Sequence, residues 1–548
     1  MTAGAGAPRG ATRARNGAAA VVDTMVAHGV DTVFGIPGTS NLELYRHLQR
    51  AGLRHVTPRH EQGAGYAADG YARVSGRPAA VLTTSGPGLT NAMTAAATSY
   101  ADSVPALYVS PGVPLGTQGR DLGLLHENKD SSGAMGRLVR WSRRARSPDD
   151  AADAVADAMT ALTRGRARPV HVEIPVDVLE APWDGEPPRP EPRAAPSLPE
   201  PAAVEAAASL LARAGTVLVI IGGGGIDAVE ELQALAERLD APVVTTSAAK
   251  GVLPERSAMA AGASIRLPAA QQAAAAADVL LVVGSELGDS DLWGGTVRAR
   301  SAVRVDVEAG QLTKNLSVDG SLIVLCGDAA AVLQALLEAM PPTSTLIPPV
   351  TGPTPGQRRA ADLRRACAIQ ARADAGPNAE LAVAVAAGLP DDAVVTGDSS
   401  QITYFGAMHF LPMRRPRRFC YMTGYATLGY ALPAAVGATV ALPGTPAVAL
   451  AGDGALMFSV QELMTAVELG SSVVTVVVDN GGYREIRDGM VERGIPPLGV
   501  DLARPDFVAL ARAFGARAHR VDDPADLSDR LSGELHEGGP AVLVVDLT

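Results

Sequence analysis

Short, uninterrupted runs of apolar residues recur along the chain and alternate with alanine-rich segments that have a helical period. Such runs occupy residues 79–84, 170–174, 217–221, 279–284, 394–397 and 541–546. A strand that is apolar at every position is typical of a parallel sheet whose two faces are both covered by helices. The pattern therefore predicts an α/β fold built from doubly wound parallel sheets.

Two proline-rich stretches divide this pattern into segments of comparable size. They cover residues 181–200 and 341–356, and neither can form a continuous helix or a central strand. A chain of 548 residues is also too long for one hydrophobic core. We therefore predict a flexible tail followed by three domains, with the tail at residues 1–16 and the domains at residues 17–182, 201–340 and 357–548.

Composition narrows the class of protein. The net charge of −11 argues against nucleic-acid binding, because phosphate contacts need clustered lysine and arginine. No apolar run reaches the roughly 18 residues that span a bilayer, and the N-terminal segment lacks an apolar signal-peptide core. Cys326, Cys367 and Cys420 are widely separated, which favours a reduced compartment. These observations predict a cytoplasmic protein that binds neither nucleic acid nor membrane.

The strongest chemical signal is a strand–helix–strand unit in the last third of the chain. One apolar strand leads into a turn at Gly452-Asp453-Gly454, and the next ends just before Asn480. Asp453 and Asn480 then lie at the carboxyl ends of neighbouring strands, where open parallel sheets bind ligands. Two hard oxygen ligands and a nearby glycine carbonyl suit Mg²⁺, and glycines let the backbone approach a diphosphate. The alternative is an ordinary crossover whose glycines only turn the chain.

This arrangement resembles the cofactor-binding motif of the thiamine diphosphate-dependent enzymes, the superfamily of acetolactate synthases and 2-oxo acid decarboxylases. The resemblance spans nearly the whole chain and implies a pyrimidine-binding domain, a middle domain and a domain that binds diphosphate and Mg²⁺. It also implies metal ligation by Asp453, Asn480 and the carbonyl oxygen of Gly482. The residues that it places against the cofactor in this segment are Gly452, Gly454, Ala455 and Gly482.

A second motif of the same family occupies residues 59–78, where a glutamate is followed by small residues. The resemblance implies that Glu61 is the catalytic glutamate, which promotes the reactive imino tautomer of the cofactor's pyrimidine ring. Gln62 and His126 are candidates for proton delivery, and residues 84–91 resemble a family loop that lines the cleft. Taken alone, Glu61 could equally be a surface glutamate, which is favourable in a first helical turn.

Two further segments of the third domain are similar to family stretches around the cofactor. One implies that Ser399 and Ser400 donate hydrogen bonds to the diphosphate. In the other, Leu428 takes the place of a large aliphatic residue that keeps the cofactor bent, so that its imine lies beside the reacting carbon. The alternative for Leu428 is an ordinary core leucine at the start of a helix.

The middle domain carries a glycine run, residues 222–225, after a predicted strand. The run is a degenerate dinucleotide fingerprint, but no acidic residue ends the next strand as a ribose partner. Acetolactate synthases bind FAD in this domain through an arginine-led segment, and Glu286 replaces that arginine here. We therefore do not expect FAD to bind, and we interpret the glycine run as structural.

Differences within the superfamily narrow the reaction. Leu125-His126-Glu127 stands where acetolactate synthases carry Phe-Gln-Glu, and the chain lacks the adjacent histidines of pyruvate decarboxylases. Residues 35–45 and 285–293 are similar to guanidino-oxo acid decarboxylases. The resemblance implies decarboxylation of a 2-oxo acid, with a guanidino-oxo acid as the candidate, through an enamine that is released as an aldehyde. The alternatives are an acetolactate synthase-like carboligase, which joins the enamine to a second carbonyl, and a non-catalytic structural protein that binds the cofactor.

Recognition of a guanidinium would require a carboxylate in the pocket, for which Glu43, Glu127 and Asp291 are candidates. The family also implies that each active site takes its glutamate from one subunit and its diphosphate ligands from another. We therefore expect a homodimer at minimum and a homotetramer as the full assembly.

Overall fold

The computed structural model describes residues 15–192, 195–341 and 352–547. The first domain contains a six-stranded sheet in the order β2-β1-β3-β4-β6-β5, with every pairing parallel. Its strands are β1 (Thr32–Gly35), β2 (Arg54–Val56), β3 (Ala79–Leu82), β4 (Ala106–Gly112), β5 (Ser142–Arg144) and β6 (Val170–Pro175). Its helices are α1 (Gly17–Ala27), α2 (Leu42–Leu48), α3 (Glu61–Ser75), α4 (Pro87–Ala101), α5 (Ser131–Met135), α6 (Pro148–Thr163) and α7 (Val176–Glu180).

The middle domain contains a five-stranded parallel sheet in the order β13-β11-β9-β7-β8, and β10 pairs with β12 beside it. Its strands are β7 (Val217–Ile221), β8 (Val243–Thr245), β9 (Val279–Val283), β10 (Val297–Ala299), β11 (Ser301–Asp306), β12 (Leu316–Val318) and β13 (Leu322–Cys326). The helices are α8 (Pro201–Arg213), α9 (Val229–Leu239), α10 (Pro268–Ala276), α11 (Asp289–Leu292) and α12 (Ala329–Ala339).

The third domain contains a six-stranded parallel sheet in the order β15-β14-β16-β17-β19-β18. Its strands are β14 (Val394–Gly397), β15 (Phe419–Tyr421), β16 (Ala447–Gly452), β17 (Val473–Asp479), β18 (Arg517–Val521) and β19 (Ala541–Asp546). The helices of this segment are α13 (Pro355–Ala375), α14 (Pro377–Gly388), α15 (Met408–Phe410), α16 (Ala431–Ala441), α17 (Asp453–Leu456), α18 (Glu462–Leu469), α19 (Arg484–Glu492), α20 (Phe507–Ala513) and α21 (Leu527–Glu537). A π-helical segment, Ile402–Ala407, precedes α15.

Alternate residues of the central strands are buried on opposite faces of their sheets. In β1, Val33 packs into one core of the first domain and Phe34 into another. In β7, Val219 and Leu218 divide in the same way between two cores of the middle domain. Side chains on both faces of a strand are covered only when helices lie on both sides of the sheet. The three parallel-sheet α/β domains confirm the predicted fold class.

Two element boundaries differ from those expected. Arg15 and Asn16 do not belong to a flexible tail, since the Asn16 side chain caps α1 by accepting a 3.1 Å hydrogen bond from the Ala19 N–H. Residues 1–14 of that segment lie outside the described residues. The second proline-rich stretch ends in helix, because α13 begins at Pro355 with a capping box at Thr354.

Helix α13 lies between two domains, because it contacts α10 of the middle domain and the π-helical segment of the third. Leu363, Cys367 and Ala371 recur every four residues and are buried in a core that also contains Leu218 and Ile220 of β7. A stripe with that spacing is the apolar face of an amphipathic helix. The helix therefore binds the start of the third segment to the middle domain.

The first and third domains pack closely through α3 and α16. A side chain at Gly70 of α3 would collide with the carbonyl oxygen of Ala434, and one at Gly437 of α16 would collide with that of Ala67. Glycine at these two positions allows the backbones to approach closely. The contact sets the angle at which the N-terminus of α3 meets the third domain. No helix among the described residues is long and apolar enough to cross a membrane.

Candidate functional site

Asp453 and Asn480 lie at the ends of two paired strands. Strand β16 ends at Gly452, which is in register with Val478 of β17. Asp453 begins α17 directly after β16, and Asn480 follows β17 directly. The predicted Gly452–Gly454 turn is thus the entry to a short helix, and both polar residues reach the same edge of the sheet.

The Asp453 carboxylate is buried and incompletely paired. Only 3% of the residue is exposed, and Oδ1 has no hydrogen-bond partner among the described residues. Burial raises the pKa of Asp453, although backbone N–H groups around it, including that of Gly454, act in the opposite direction. A buried acceptor without a donor is costly, and a metal ion is one ligand that removes this cost.

Two further oxygen atoms lie around this carboxylate. The Asn480 amide nitrogen donates to Gln401 Oε1 at 3.3 Å, which leaves the amide oxygen without a protein partner in the described part of the chain. The carbonyl oxygen of Gly482 lies 3.6 Å from the point where a side chain of Gly454 would begin. Gly482 itself has φ +118°, and a side chain there would collide with the Val500 carbonyl. Glycine is therefore required where this carbonyl turns toward α17.

No cluster of three or more His, Cys, Asp or Glu that could hold a metal occurs in the ranges that the structure describes. The oxygen set here consists instead of one carboxylate, one amide and one carbonyl. Such hard neutral and anionic oxygens suit Mg²⁺, which keeps few protein ligands and takes the others from phosphate and water. The residues present therefore fit Mg²⁺ with a diphosphate.

The predicted serines adjoin this edge to different degrees. Ser400 faces Gly452, since a side chain on Gly452 would begin 3.4 Å from the Ser400 Cβ. Ser399 instead lies close to the Tyr421 hydroxyl, whose pKa it lowers against the effect of burial. Ala455 is buried in the first turn of α17. Ser400, Gly452 and Gly454 thus surround the start of α17, while Ser399 lies beside β15.

The loop that contains Leu428 is fixed by a residue that the sequence did not single out. The Asp398 carboxylate accepts hydrogen bonds from the backbone N–H groups of Gly429, Tyr430 and Ala431 at 2.8, 3.2 and 3.2 Å. Burial raises the pKa of Asp398 to about 6. The carboxylate caps the start of α16 and leaves Leu428 half-buried just before it. The available signal was an aspartate directly after a buried strand.

Glu61 is the first residue of α3 and is 8% exposed. The Asn91 side chain donates a 3.0 Å hydrogen bond to Glu61 Oε2. A side chain at Gly88 would begin 3.1 Å from Glu61 Oε1, so residues 84–91 approach the carboxylate as expected. Glu61 is therefore held by the N-terminal part of α4, and the surface-glutamate alternative does not describe its surroundings.

The third domain closes the N-terminus of α3. The Glu462 carboxylate, in the first turn of α18, accepts hydrogen bonds of 3.1 Å from the backbone N–H groups of Arg59 and His60. Glu462 is 1% exposed, and burial raises its pKa. A capping carboxylate supplied by another domain cannot be found by the local spacing rules for caps. Sequence reasoning accordingly missed it.

Gln62 and His126 make contacts with different parts of the chain. The Gln62 amide donates to the Tyr66 hydroxyl at 2.8 Å, and that hydroxyl is 2.8 Å from Thr427 Oγ1. Gln62 is thereby linked to the Leu428 loop. His126 Nδ1 lies 3.3 Å from Ser85 Oγ, and His126 has φ +62°. A left-handed backbone in a non-glycine residue stores strain and is enriched at functional sites.

Of the three carboxylates suggested for a guanidinium, Glu43 and Glu127 are engaged elsewhere, and Asp291 lies in a different cavity. Glu43 accepts from the Arg46 guanidinium and from Asn16. The Glu127 carboxylate accepts hydrogen bonds from the backbone N–H groups of Leu122 and Leu124, and these hydrogen bonds lower the pKa of Glu127. Asp291 lines the middle-domain cavity, and its pKa is raised to about 7 by burial and by the nearby Asp102.

The glycine run of the middle domain borders a cavity of about 780 Å³ that all three domains line. Side chains at Gly222 and Gly224 would begin 2.5 Å from the Gly284 oxygen and 2.9 Å from the Gly284 Cα. The run is therefore needed for close packing between strand ends, in agreement with a structural role. Glu286 also lines the cavity, but Arg166 forms an ion pair with it and Arg168 is 3.6 Å away. Its charge is thus compensated, which weakens the argument that Glu286 alone repels an anionic cofactor.

Three family descriptions match successive parts of the chain. They are "Thiamine pyrophosphate enzyme, N-terminal TPP binding domain" at residues 15–133, "central domain" at residues 204–336 and "C-terminal TPP binding domain" at residues 398–545. The matched segments contain the Glu61 site, the middle sheet and the Asp453 site respectively.

Relatives of two kinds cover nearly the whole chain. The chain is 40% identical to the "Probable 2-ketoarginine decarboxylase" of Pseudomonas aeruginosa, over 95% of this chain and 91% of that protein. It is 32% identical to the acetolactate synthase large subunit of Parasynechococcus marenigrum, over 97% and 87% of the two chains. It is 31% identical to the acetolactate synthase isozyme 1 large subunit of Escherichia coli, over 97% and 94%. The chain therefore belongs to the thiamine pyrophosphate enzymes, which are the thiamine diphosphate-dependent enzymes.

Proposed function

We propose that this protein is a thiamine diphosphate- and Mg²⁺-dependent enzyme that decarboxylates a guanidino-2-oxo acid and releases an aldehyde. The observation that carries the proposal is the unpaired Oδ1 of buried Asp453 beside Asn480 and Gly482. These atoms would hold Mg²⁺, and the metal would hold the diphosphate. The proposal assigns pyrimidine binding to residues 17–182 and diphosphate binding to residues 357–548.

Each proposed catalytic residue has a specific task. Bound thiamine diphosphate would supply a nucleophilic carbon and a cationic thiazolium ring that accepts the electrons left when carbon dioxide departs. Glu61 would hold a proton at the pyrimidine N1′, and Asn91 keeps its carboxylate in place. Leu428 would support the bent cofactor, and Asp398 fixes the loop that carries it.

Proton delivery to the product falls to the residues around Glu61. His126 contacts Ser85 through Nδ1, which leaves Nε2 to exchange a proton with the substrate. The Gln62 amide is oriented by Tyr66, so that it can fix the position of a reacting group but not transfer its own proton. His126 is therefore the proposed proton donor, and Gln62 is the proposed positioning residue.

The substrate class comes from the relative with 40% identity, which is described as a 2-ketoarginine decarboxylase. The second candidate is carboligation, because acetolactate synthase subunits at 31–32% identity cover the chain equally well. The two reactions share the loss of carbon dioxide. They differ in what then bonds to the remaining acyl fragment, which is a proton in the decarboxylase and a second carbonyl compound in the carboligase. A non-catalytic structural protein is the third possibility, and the paired surroundings of Glu61 favour catalysis over it.

Association into a homodimer or homotetramer is part of the proposal. Large apolar side chains are exposed around the Asp453 edge: Met457, Phe458, Ile486 and Val491 are each about half exposed, and Leu498 is 83% exposed. Helix α19 has no buried residue. Apolar surface of this kind is typical of a protein–protein contact. A second subunit would cover it, and a reduced cytoplasmic location is consistent with three free cysteines.

The test is a turnover assay on the purified protein with thiamine diphosphate and Mg²⁺. A panel of 2-oxo acids with neutral, acidic and guanidino side chains is assayed for carbon dioxide release, with and without aldehyde and 2-oxo acid acceptors. We expect release from the guanidino substrate, with the aldehyde as product. A ligated product in place of the aldehyde would establish the carboligase, and no release from any 2-oxo acid would reject both reactions.

A further inference from the structure

Helix α19 starts four residues after Asn480 and carries several charged side chains. Arg484 pairs with Asp488 at 3.0 Å, and Arg487 pairs with Asp501 at 2.9 Å. Glu485 lies between these two arginines in sequence and is exposed, yet no lysine or arginine of the described residues forms an ion pair with it. The first turn of α19 therefore carries one carboxylate, that of Glu485, without an ion-pair partner among the described residues.

Glu485 is connected to the proposed metal site. Gln401 Nε2 donates a 2.9 Å hydrogen bond to Glu485 Oε2, and Gln401 Oε1 accepts from the Asn480 amide at 3.3 Å. Glu485 therefore lies two hydrogen bonds from a proposed Mg²⁺ ligand. Tyr404 lies near this carboxylate: burial raises the pKa of Tyr404, and the negative charge of Glu485 acts in the same direction. The tyrosine is therefore a neutral neighbour of Glu485, and Gln401 is the residue that orients the carboxylate.

Three aromatic side chains, those of Tyr404, Phe405 and Trp293, form a cluster near the Glu485 carboxylate. Tyr404 meets Phe405 and Trp293 edge to face, with ring centroids 4.7 and 5.5 Å apart. The Arg266 guanidinium already lies over Trp293 and Phe405, at 4.8 and 5.5 Å from the ring centroids. Aromatic faces attract guanidinium groups, and those of Trp293 and Phe405 are already taken by Arg266, so the carboxylate of Glu485 is the group here that is left to receive a second cation.

The other carboxylates near the Asp453 edge are committed or distant. Asp479 pairs with Arg504 at 3.0 Å, and Asp453 is assigned to the metal. Glu492 is also exposed and unpaired in the described part of the chain, but it closes α19 seven residues later, about 10 Å from Glu485 along the axis. Glu485 is thus the available anion closest to the proposed metal end of the helix.

We infer that Glu485 is the specificity-determining residue that receives the guanidinium of the substrate, which rests on the proposed function. Gln401 holds the carboxylate from one side, and the guanidinium forms charge-assisted hydrogen bonds on the other. A planar guanidinium fits this carboxylate better than an ammonium, because it can pair with it in a bidentate manner.

Glu485→Gln tests this assignment, since it keeps the shape of the side chain and removes its charge. The matched control is Glu492→Gln, which removes the same charge at the other end of the helix. Each variant is assayed, with cofactor and Mg²⁺, on 5-guanidino-2-oxopentanoate and on 2-oxohexanoate, which has a neutral side chain. Calorimetric titration of 5-guanidinopentanoate, which lacks the reacting ketone, measures binding without turnover.

For Glu485→Gln we expect kcat/KM on the guanidino substrate to fall about tenfold to a hundredfold, with a similar loss of analogue affinity. Turnover of 2-oxohexanoate should change by less than about threefold, and Glu492→Gln should resemble the parent protein on both substrates. An equal effect on the charged and neutral substrates, or none on either, would overturn the role of Glu485 and leave the decarboxylase intact. Absence of carbon dioxide release by the parent protein would instead reject the proposed function.

Discussion

The side chain of Asn91 donates a 3.0 Å hydrogen bond to Oε2 of Glu61. The bond ties the N-terminal part of α4 to the first turn of α3, and Glu462 closes the same turn from the third domain. Glu61 therefore keeps a fixed direction although it lies at a helix end, where side chains are usually mobile. A carboxylate that must hold one proton at one ring nitrogen needs such a fixed position.

Glu61→Gln should keep cofactor binding and slow proton removal from the thiazolium carbon. The amide preserves the shape but cannot exchange the proton that supports the imino tautomer, so we expect exchange to slow by about 10²–10⁴-fold. Deuterium exchange of the bound cofactor, read by nuclear magnetic resonance after an acid quench, measures the rate. Asn91→Ala should show a smaller decrease, because Glu61 remains but loses its anchor. Parent-like exchange in Glu61→Gln would remove Glu61 from the mechanism.

Asp453→Ala should lose Mg²⁺ and thiamine diphosphate together while the protein stays folded. The substitution removes the only carboxylate of the proposed oxygen set, and Asn480 and Gly482 then supply neutral oxygens alone. The unpaired buried Oδ1 is also removed, so thermal stability without cofactor should not decrease through that atom. Calorimetric titration compares this variant with Asp488→Ala, which loses an exposed carboxylate on α19. Equal cofactor affinity in the two variants would contradict the metal assignment.

Sequence patterns predicted the three sheets well because a strand buried on both faces must be apolar throughout. Strands β7, β14 and β19 begin and end at the predicted residues. The surroundings of Glu61 could not be predicted in the same way. Glu462 contacts Arg59 across about 400 residues of sequence. Neither the hydrophobic periodicity around these residues nor a local capping motif indicates the contact.

The carboxylate that receives a guanidinium could not be predicted from local sequence either. Glu43, Glu127 and Asp291 are plausible from their positions in similar segments, but only the folded chain reveals which carboxylates are already paired. Glu43 binds Arg46, and Glu127 binds its own loop. Glu485 has no motif of its own, and its connection to Asn480 runs through Gln401 from another strand end. Local spacing carries no information about such contacts.

FAD should not co-purify with this protein. The cavity that all three domains line is large enough for a cofactor, but its lining includes the carboxylates Asp291 and Asp306. Arg166, which could attract a diphosphate, is already paired with Glu286 and Glu308. The measurement is the visible absorbance of protein purified without added flavin, followed by titration with FAD. A flavin spectrum at stoichiometric yield would contradict the prediction and would favour an acetolactate synthase-like reaction.

Asp398 should make the stability of the protein fall between about pH 4 and pH 6. Its pKa is raised to about 6 in the folded protein, so in this window the folded state binds a proton that the unfolded chain has lost. Stability is then highest below the unfolded pKa and decreases by at most about 3 kcal/mol as the pH rises through 6.

Asp398→Asn isolates this contribution, because all other groups titrate in both proteins. The difference between the thermal midpoints of the parent protein and the variant should become smaller from pH 4 to pH 7. Since a multidomain chain need not unfold in one step, the comparison uses the transition of the third domain. A difference that stays constant, or one that grows with pH, would contradict the raised pKa of Asp398.

We expect each active site to combine Glu61 of one subunit with Asp453 of another. Glu61 belongs to the first domain and Asp453 to the third, and α3 packs on α16 within one chain. The exposed apolar residues near Asp453 favour a second subunit over this edge. If two-fold related subunits share each site, an inactive Glu61→Gln chain and an inactive Asp453→Ala chain complement each other. Their heterodimer should regain one of its two sites.

The decisive comparison uses two heterodimers, each purified with a different tag on each chain. The first pairs Glu61→Gln with Asp453→Ala, and the second pairs an unchanged chain with one that carries both substitutions. With shared sites, the first heterodimer releases carbon dioxide at about half the parent rate and the second is inactive. With sites built inside one chain, the pattern reverses, because the unchanged chain keeps a complete site. Because the two arrangements predict opposite results, a loss of activity caused by tagging or misfolding cannot be mistaken for either.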